Sequence, residues 1–198
     1  MDGKTVLKRG TAGSLSLCIA VMVLFSLTGC TLHLTKQFSS KLDPDALYTS
    51  FNVNPEDLST RSKCNAPPTV KIVNMEERTE DFVALENPPA NGVINPKEMM
   101  DSVCLYLKNG FERSRIKADD QSDKVIQVKM VDLKSIAGVW SFGSYFKMQL
   151  IIPETKLTKF YEAKDNSMQG HAAAANAIHR VTRQIIEDPE IQDYLLCR

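Results

Sequence analysis

Between residues 140 and 152 the side chains alternate without a break. Trp140, Phe142, Ser144, Phe146, Met148, Leu150 and Ile152 fall on one side, and Ser141, Gly143, Tyr145, Lys147 and Gln149 on the other. A helix would scatter such a pattern around its circumference, whereas a strand sends successive side chains to opposite faces. The run therefore demands a long strand with one buried face. Its predecessor, residues 125–133, alternates in the same way, with Ile126, Val128 and Met130 opposite Gln127 and Lys129. Ala137-Gly138 between them reads as the turn of a hairpin, and Pro153-Glu154-Thr155 leads into a further strand over residues 157–163.

Something must cover the buried face, and two helical periodicities supply it. Asn95 before Pro96 is an N-cap followed by proline at the first helical position. Met100, Val103, Leu107 and Phe111 then recur at helical spacing, flanked by Met99 and Cys104, and Asn109-Gly110 reads as a stop, which predicts a helix over residues 96–109. A second helix begins near His171, with Ala174, Ala177, Ile178, Val181 and Ile185 as its apolar stripe. Asp188-Pro189 ends it and caps a short last helix that packs back through Ile191, Tyr194 and Leu195. With a short strand at 69–74, where Val70 and Ile72 share a face, the order is β-α-β-β-β-α. Residues 75–95, which hold Asn87-Pro88-Pro89 and Asn91-Gly92, read as a loop. The expected fold is an α+β two-layer sandwich, a mostly antiparallel sheet with two helices on one face.

The first thirty residues carry a different signal. Lys4, Lys8 and Arg9 precede an apolar run over residues 15–27, the layout of a secretory signal. At about 13 residues the run falls short of the roughly 20 that a bilayer span takes. Leu27-Thr28-Gly29-Cys30 follows and resembles the lipobox of bacterial lipoproteins, with small residues at the scissile bond and a thiol that can carry a diacylglyceryl group. Two or more acyl chains anchor a protein stably where one does so marginally. The expected organisation is a signal peptide over 1–29, a lipidated Cys30 with a tether and irregular arm over 30–68, and an α+β periplasmic domain over 69–198. Residue 31 is Thr; by resemblance to the enteric sorting rule, in which Asp there retains a lipoprotein in the inner membrane, the destination is the outer membrane, facing the periplasm.

Cysteine usage fits export. Cys18 leaves with the signal and Cys30 is lipidated, so Cys64, Cys104 and Cys197 enter an oxidising compartment. An odd number allows at most one intramolecular bridge. If one forms, it joins Cys64 to Cys197, because Cys104 sits in a helix stripe among Met100 and Leu107, the setting of a buried, inert thiol.

The 24 Lys and Arg balance the 24 Asp and Glu, which argues against nucleic acid as a partner. No P-loop, G-x-G-x-x-G, G-x-S-x-G or H-E-x-x-H is present. His33 lies in the arm, and His171 and His179 are two turns apart with nothing joining them. Glu76, Glu77, Glu80 and Asp81 form an acidic cluster in which a solvated loop is a better reading than a metal site. Arg113, Arg115 and Lys117 form a basic group, again a solvated loop, which surface ion pairs to the acidic cluster would help only a little. No cofactor is called for, and the chain reads as non-enzymatic.

Val73-x-x-x-x-Arg78-Thr79, the helix end Asn109-Gly110-Phe111 and the tail Ile185-Ile186-Glu187-Asp188-Pro189-Glu190-Ile191-Gln192-Asp193-Tyr194-Leu195 resemble the YajG-like lipoproteins. These are small Gram-negative outer-membrane lipoproteins of unassigned function. The resemblance covers about residues 68–196 together with the lipobox, and implies a location and a fold rather than a reaction. The longer arm with Cys64 departs from it. The functional expectation is a membrane-anchored domain that binds another envelope protein or lipid; the alternative is an auxiliary lipoprotein of an ABC-type lipid or solute transport system. The membrane partner enters through the acyl chains on Cys30.

A contact surface follows from lengths. A strand over residues 139–152 is on the order of 45 Å long, and helices of about 14 to 17 residues cover only about 21 to 26 Å of it. Phe146, Met148, Leu150 and Ile152 pack under the helices. Trp140 and Phe142, with Ile136 and Val139, are left at the far end, where a grouped apolar tip meets a partner or membrane unless the arm folds over it.

Overall fold

The computed structural model describes residues 30–35, 57–87, 90–138 and 140–198. The signal-peptide expectation for residues 1–29 lies outside them. The strands are β1 (Cys30–His33), β2 (Thr69–Asn74), β3 (Phe82–Asn87), β4 (Ala90–Ile94), β5 (Lys117–Ala118), β6 (Val125–Ala137), β7 (Phe142–Ile152) and β8 (Leu157–Ser167). The helices are α1 (Pro96–Arg113), α2 (Gly170–Glu187) and α3 (Pro189–Leu195). The fold is an α+β sandwich whose sheet is mixed.

Strand β6 organises the sheet. Strand β7 runs antiparallel along its length, and β8 extends the sheet antiparallel beyond β7. On its other side β6 takes two parallel neighbours in succession, β2 beside residues 125–128 and β3 beside Ser135 and Ile136. Beyond β3 lie antiparallel β4 and then parallel β1. The inward residues of the hairpin, among them Ile126, Val128, Met130, Leu133, Phe146, Met148, Leu150 and Ile152, are buried, as are Met99, Met100, Val103, Leu107 and Phe111 of α1 and Ala177, Ile178, Val181 and Ile185 of α2. The opposite face of β6, β7 and β8 carries mostly polar side chains, with Val131, Ile136 and Phe160 exposed among them.

The caps behave as their chemistry dictates. The Asn95 side chain accepts from Glu98 N at 3.1 Å, with Pro96 in the first turn. Asp188 accepts from Glu190 N at 2.9 Å to start α3.

Three expectations change. Residues 82–87 and 90–94 pair as the antiparallel strands β3 and β4, where a loop was expected. The two strands find neighbours in β6 and β1 that the local pattern does not reveal. Helix α1 passes through Asn109-Gly110 to Arg113, and Arg115 takes the positive φ of 63° just beyond it. Burying Phe111 outweighs the roughly 1 kcal/mol cost of a helical glycine. Cys30 is not at the head of a tether: Cys30–His33 pair with β4 in register from Cys30↔Ala90 to His33↔Val93. Leu34 and Thr35 are buried just after them, and Leu58 is buried beyond residues 36–56.

The structure joins Cys64 to Cys197 by a disulfide, with the Cα atoms 5.1 Å apart. Among the described residues no helix is long and apolar enough to cross a membrane.

Candidate functional site

The surface at the β6–β7 turn is created by a register slip. A bulge between Met130 and Asp132 inverts the alternation of β6, so that Leu133 and Ser135 point inward and Lys134 and Ile136 outward. Ile136 is 68% exposed as a result. The turn closes with Gly138 N donating to Ser141 O at 2.7 Å. A Cβ on Gly138 would stand 2.8 Å from that oxygen, so the turn requires glycine. Trp140 projects from this turn at 88% exposure. Phe142, the first residue of β7, is half-buried and pairs with Ser167. The expected quartet is thereby divided: Ile136 and Trp140 are exposed, Phe142 is partly packed, and Val139 lies outside the described residues.

The structure adds Met168, which follows the last residue of β8 and is 84% exposed. Sequence reasoning missed it because a single methionine between Ser167 and Gln169 makes no pattern. The signal was its place: an apolar side chain in an otherwise polar link before a helix.

Below this tip, on the outer face of the sheet, lies a groove of about 630 Å³ lined in part by Lys134, Ile136, Gly143, Tyr145, Glu162 and Lys164. Gly143 keeps its floor low. Tyr145 Oη donates to Glu162 Oε2 at 2.8 Å, and Lys147 Nζ lies 3.1 Å from the same oxygen. Lys164 Nζ sits 5.8 Å from the Tyr145 ring centroid, a cation–π contact. Loss of solvation and the Glu162 hydrogen bond push the Tyr145 hydroxyl up to about 12, while hydrogen bonds from Tyr145 and Lys147 hold Glu162 below its ordinary value. At neutral pH the pair is a phenol donating to a carboxylate. It can hold a ligand by hydrogen bonding and stacking, and neither member is poised as a base.

The remaining sequence candidates are not brought here. Cys104 is buried, and burial pushes its thiol up to about 12, so the nucleophilic thiolate is scarce at neutral pH. Glu76 is buried against Arg78, Asp81 meets His33 Nδ1 at 2.9 Å, and Lys117 pairs with Asp119. Glu76, Asp81 and Lys117 are thus engaged locally and not with one another. His179 is buried beside the Tyr106 ring. Among the described residues no three His, Cys, Asp or Glu side chains come together as a metal site.

No protein-family model and no curated protein matches the chain. Among solved structures it is similar to the hypothetical protein CT253 from Chlamydia trachomatis, at 8% identity and a TM-score of 0.46, over 67% of this chain and 100% of that one. It is also similar to PelC, solved as a dodecamer, from Paraburkholderia phytofirmans, at 10% identity and a TM-score of 0.34, over 61% of this chain and 90% of that one.

Proposed function

We propose that this chain is a lipid-anchored envelope protein whose α+β domain binds another envelope component without catalysing a reaction. It is exported, cut before Cys30, acylated on that thiol and held at the outer membrane facing the periplasm. The observation that carries this reading is the sequence up to Cys30: a basic start, a short apolar run and Leu27-Thr28-Gly29-Cys30. The Cys64–Cys197 disulfide agrees with an oxidising compartment. The groove beneath the exposed tip offers the binding surface.

Intact mass spectrometry of the protein extracted from membranes tests the anchor. The expected species starts at Cys30 and carries a diacylglyceryl group and an amide-linked acyl chain. Retention of residues 1–29, or an unmodified Cys30, overturns the reading. Separation of inner and outer membranes then tests the destination, and Thr31→Asp is expected to move the protein to the inner membrane.

A further inference from the structure

The pairing registers place the start of β1 and the apolar tip at one end of the sheet. Cys30 is opposite Ala90, and Ala90 is opposite Asn87. Glu86, one residue earlier on β3, is opposite Ile136. Ala137 is opposite Phe142, and Phe142 is opposite Ser167. One row of backbone thus runs from Cys30 across β4, β3, β6 and β7 to the end of β8. Trp140 and Met168 project just past that row, and Ile136 lies one residue inside it.

From this geometry we infer that the end of the sheet bearing Ile136, Trp140 and Met168 docks on the bilayer interface that receives the acyl chains of Cys30. The inference rests on the acylation of Cys30 proposed above. Neighbouring strands are about 4.8 Å apart, so the tip at β6 stands about 14 Å from β1, and the end of β8 about 24 Å. No run of residues separates the anchor from the fold, because Cys30 is itself the first residue of β1. An anchored Cys30 therefore brings this end of the sheet to the headgroups, with no tether to lift it away.

The side chains suit that place. Trp140 carries an apolar ring and a polar N–H, the combination that settles at membrane–water interfaces. Among the described residues, Ile136 and Met168 are the other large apolar side chains left in water at this end. Lys134 and Lys164 stand on the same outer face behind them, Lys134 paired with Asp132 and Lys164 over the Tyr145 ring. Two contacts, the acyl chains at one side and the tip at the other, hold the strands upright on the membrane. Strand β6 spans 13 residues, so its far end stands about 40 Å out.

Trp140 is the sole tryptophan, so intrinsic fluorescence reports the tip alone. The mature protein, purified from membranes, is reconstituted into vesicles of phosphatidylethanolamine and phosphatidylglycerol, with and without bromine on the acyl chains. Mass spectrometry of the same sample reads the state of Cys30. With acylated Cys30, the expected emission lies at short wavelength and brominated chains quench most of it. Ile136→Asp with Met168→Asp, both at exposed positions, is expected to return the emission to the water-exposed wavelength with unchanged acylation and melting temperature. Acylated protein whose Trp140 emission is indifferent to brominated lipid overturns the docking while the lipoprotein reading stands. A blue shift that follows protein concentration and ignores bromine assigns the tip to a second copy and also overturns it. An unmodified Cys30 removes the lipoprotein reading, and the docking with it.

Discussion

Glu76 brings a carboxylate into the interior, and the chain answers it two residues later. Arg78 Nε and N donate to Oε1 at 2.8 and 3.1 Å, and an Arg78 terminal nitrogen donates to Oε2 at 2.8 Å and to Met130 O at 2.9 Å. The Glu76 side chain is fully buried and that of Arg78 about half exposed. Burial alone pushes the carboxyl up, but the Arg78 hydrogen bonds and charge outweigh it, leaving Glu76 below its ordinary 4.5. Asp188 follows the same logic: burial raises it, and Lys159, Tyr161 and the first amides of α3 bring it below 3.8. A carboxyl lowered in the folded state contributes stability that is full above its unfolded value and lost as pH falls through the folded one. The urea midpoint is expected to hold near neutrality and to fall from about pH 4.5 downward. Glu76→Gln is expected to lose about 1–3 kcal/mol at neutral pH, because Arg78 keeps only a neutral acceptor, and to flatten the acid limb. An acid limb identical to that of the unaltered protein would show that the carboxylate is not held as described.

At the scale of elements, β1 is held by a close approach rather than by strong local propensity. It is four residues long and pairs along β4. Leu34 follows it and folds over Gly92, where a Cβ would stand 2.2 Å from Leu34 Cδ1 and 3.0 Å from Leu85 Cβ. Gly92→Ala is therefore expected to displace Leu34 and loosen β1, at about 1–3 kcal/mol, the usual scale of overpacking. Amide exchange should rise over residues 31–34 well before it rises in β6 and β7. Uniform exchange across the sheet would mean that β1 is not a separate weak unit. In β6 one extra residue at the bulge turns Ile136 outward, and without it Ile136 would face the same side as Met130.

Across the whole molecule, the disulfide closes the chain over a separation of 133 residues. It lies toward the end of the sheet opposite the tip and binds the segment before β2 to the C-terminal tail. Lys63 N donates to Leu196 O at 2.9 Å, Arg198 donates to Arg61 O at 2.8 Å, and Val125 N donates to Tyr194 Oη at 2.9 Å. The chain-entropy relation for so long a loop gives about 5 kcal/mol as an upper figure, and native bridges usually give about 2–4 kcal/mol. Reductant is expected to lower the unfolding free energy by that amount. Cys64→Ser should show the same loss without reductant and no further loss with it. Equal urea midpoints with and without reductant would overturn the assignment of the bridge to stability.

The helices, the hairpin β6–β7 and the caps at Asn95 and Asp188 were all legible in the sequence. Each rests on interactions within a few residues: a 3.6-residue or two-residue apolar period, or a side chain reaching an amide two or three positions on. Of the expected tip, the exposure of Trp140 was legible in the strand's excess length, whereas Ile136 faces outward through a bulge, Phe142 is half-buried and Met168 went unnoticed. Strands β3, β4 and β1 were not, because their stability comes from backbone hydrogen bonds to distant strands, which leave little trace in side-chain order. The bulge was also hidden, for Val131-Asp132 looks the same whether or not a residue is skipped. That Cys64 and Cys197 were suitable partners followed from counting; that the segment before β2 meets the tail followed only from folding. The sequence by itself thus determined the helices, the long hairpin and the caps, whose interactions are local. Only the tertiary structure decided that Cys30 and Trp140 share one end of the sheet, because register is set by long-range pairing summed over five neighbouring strands.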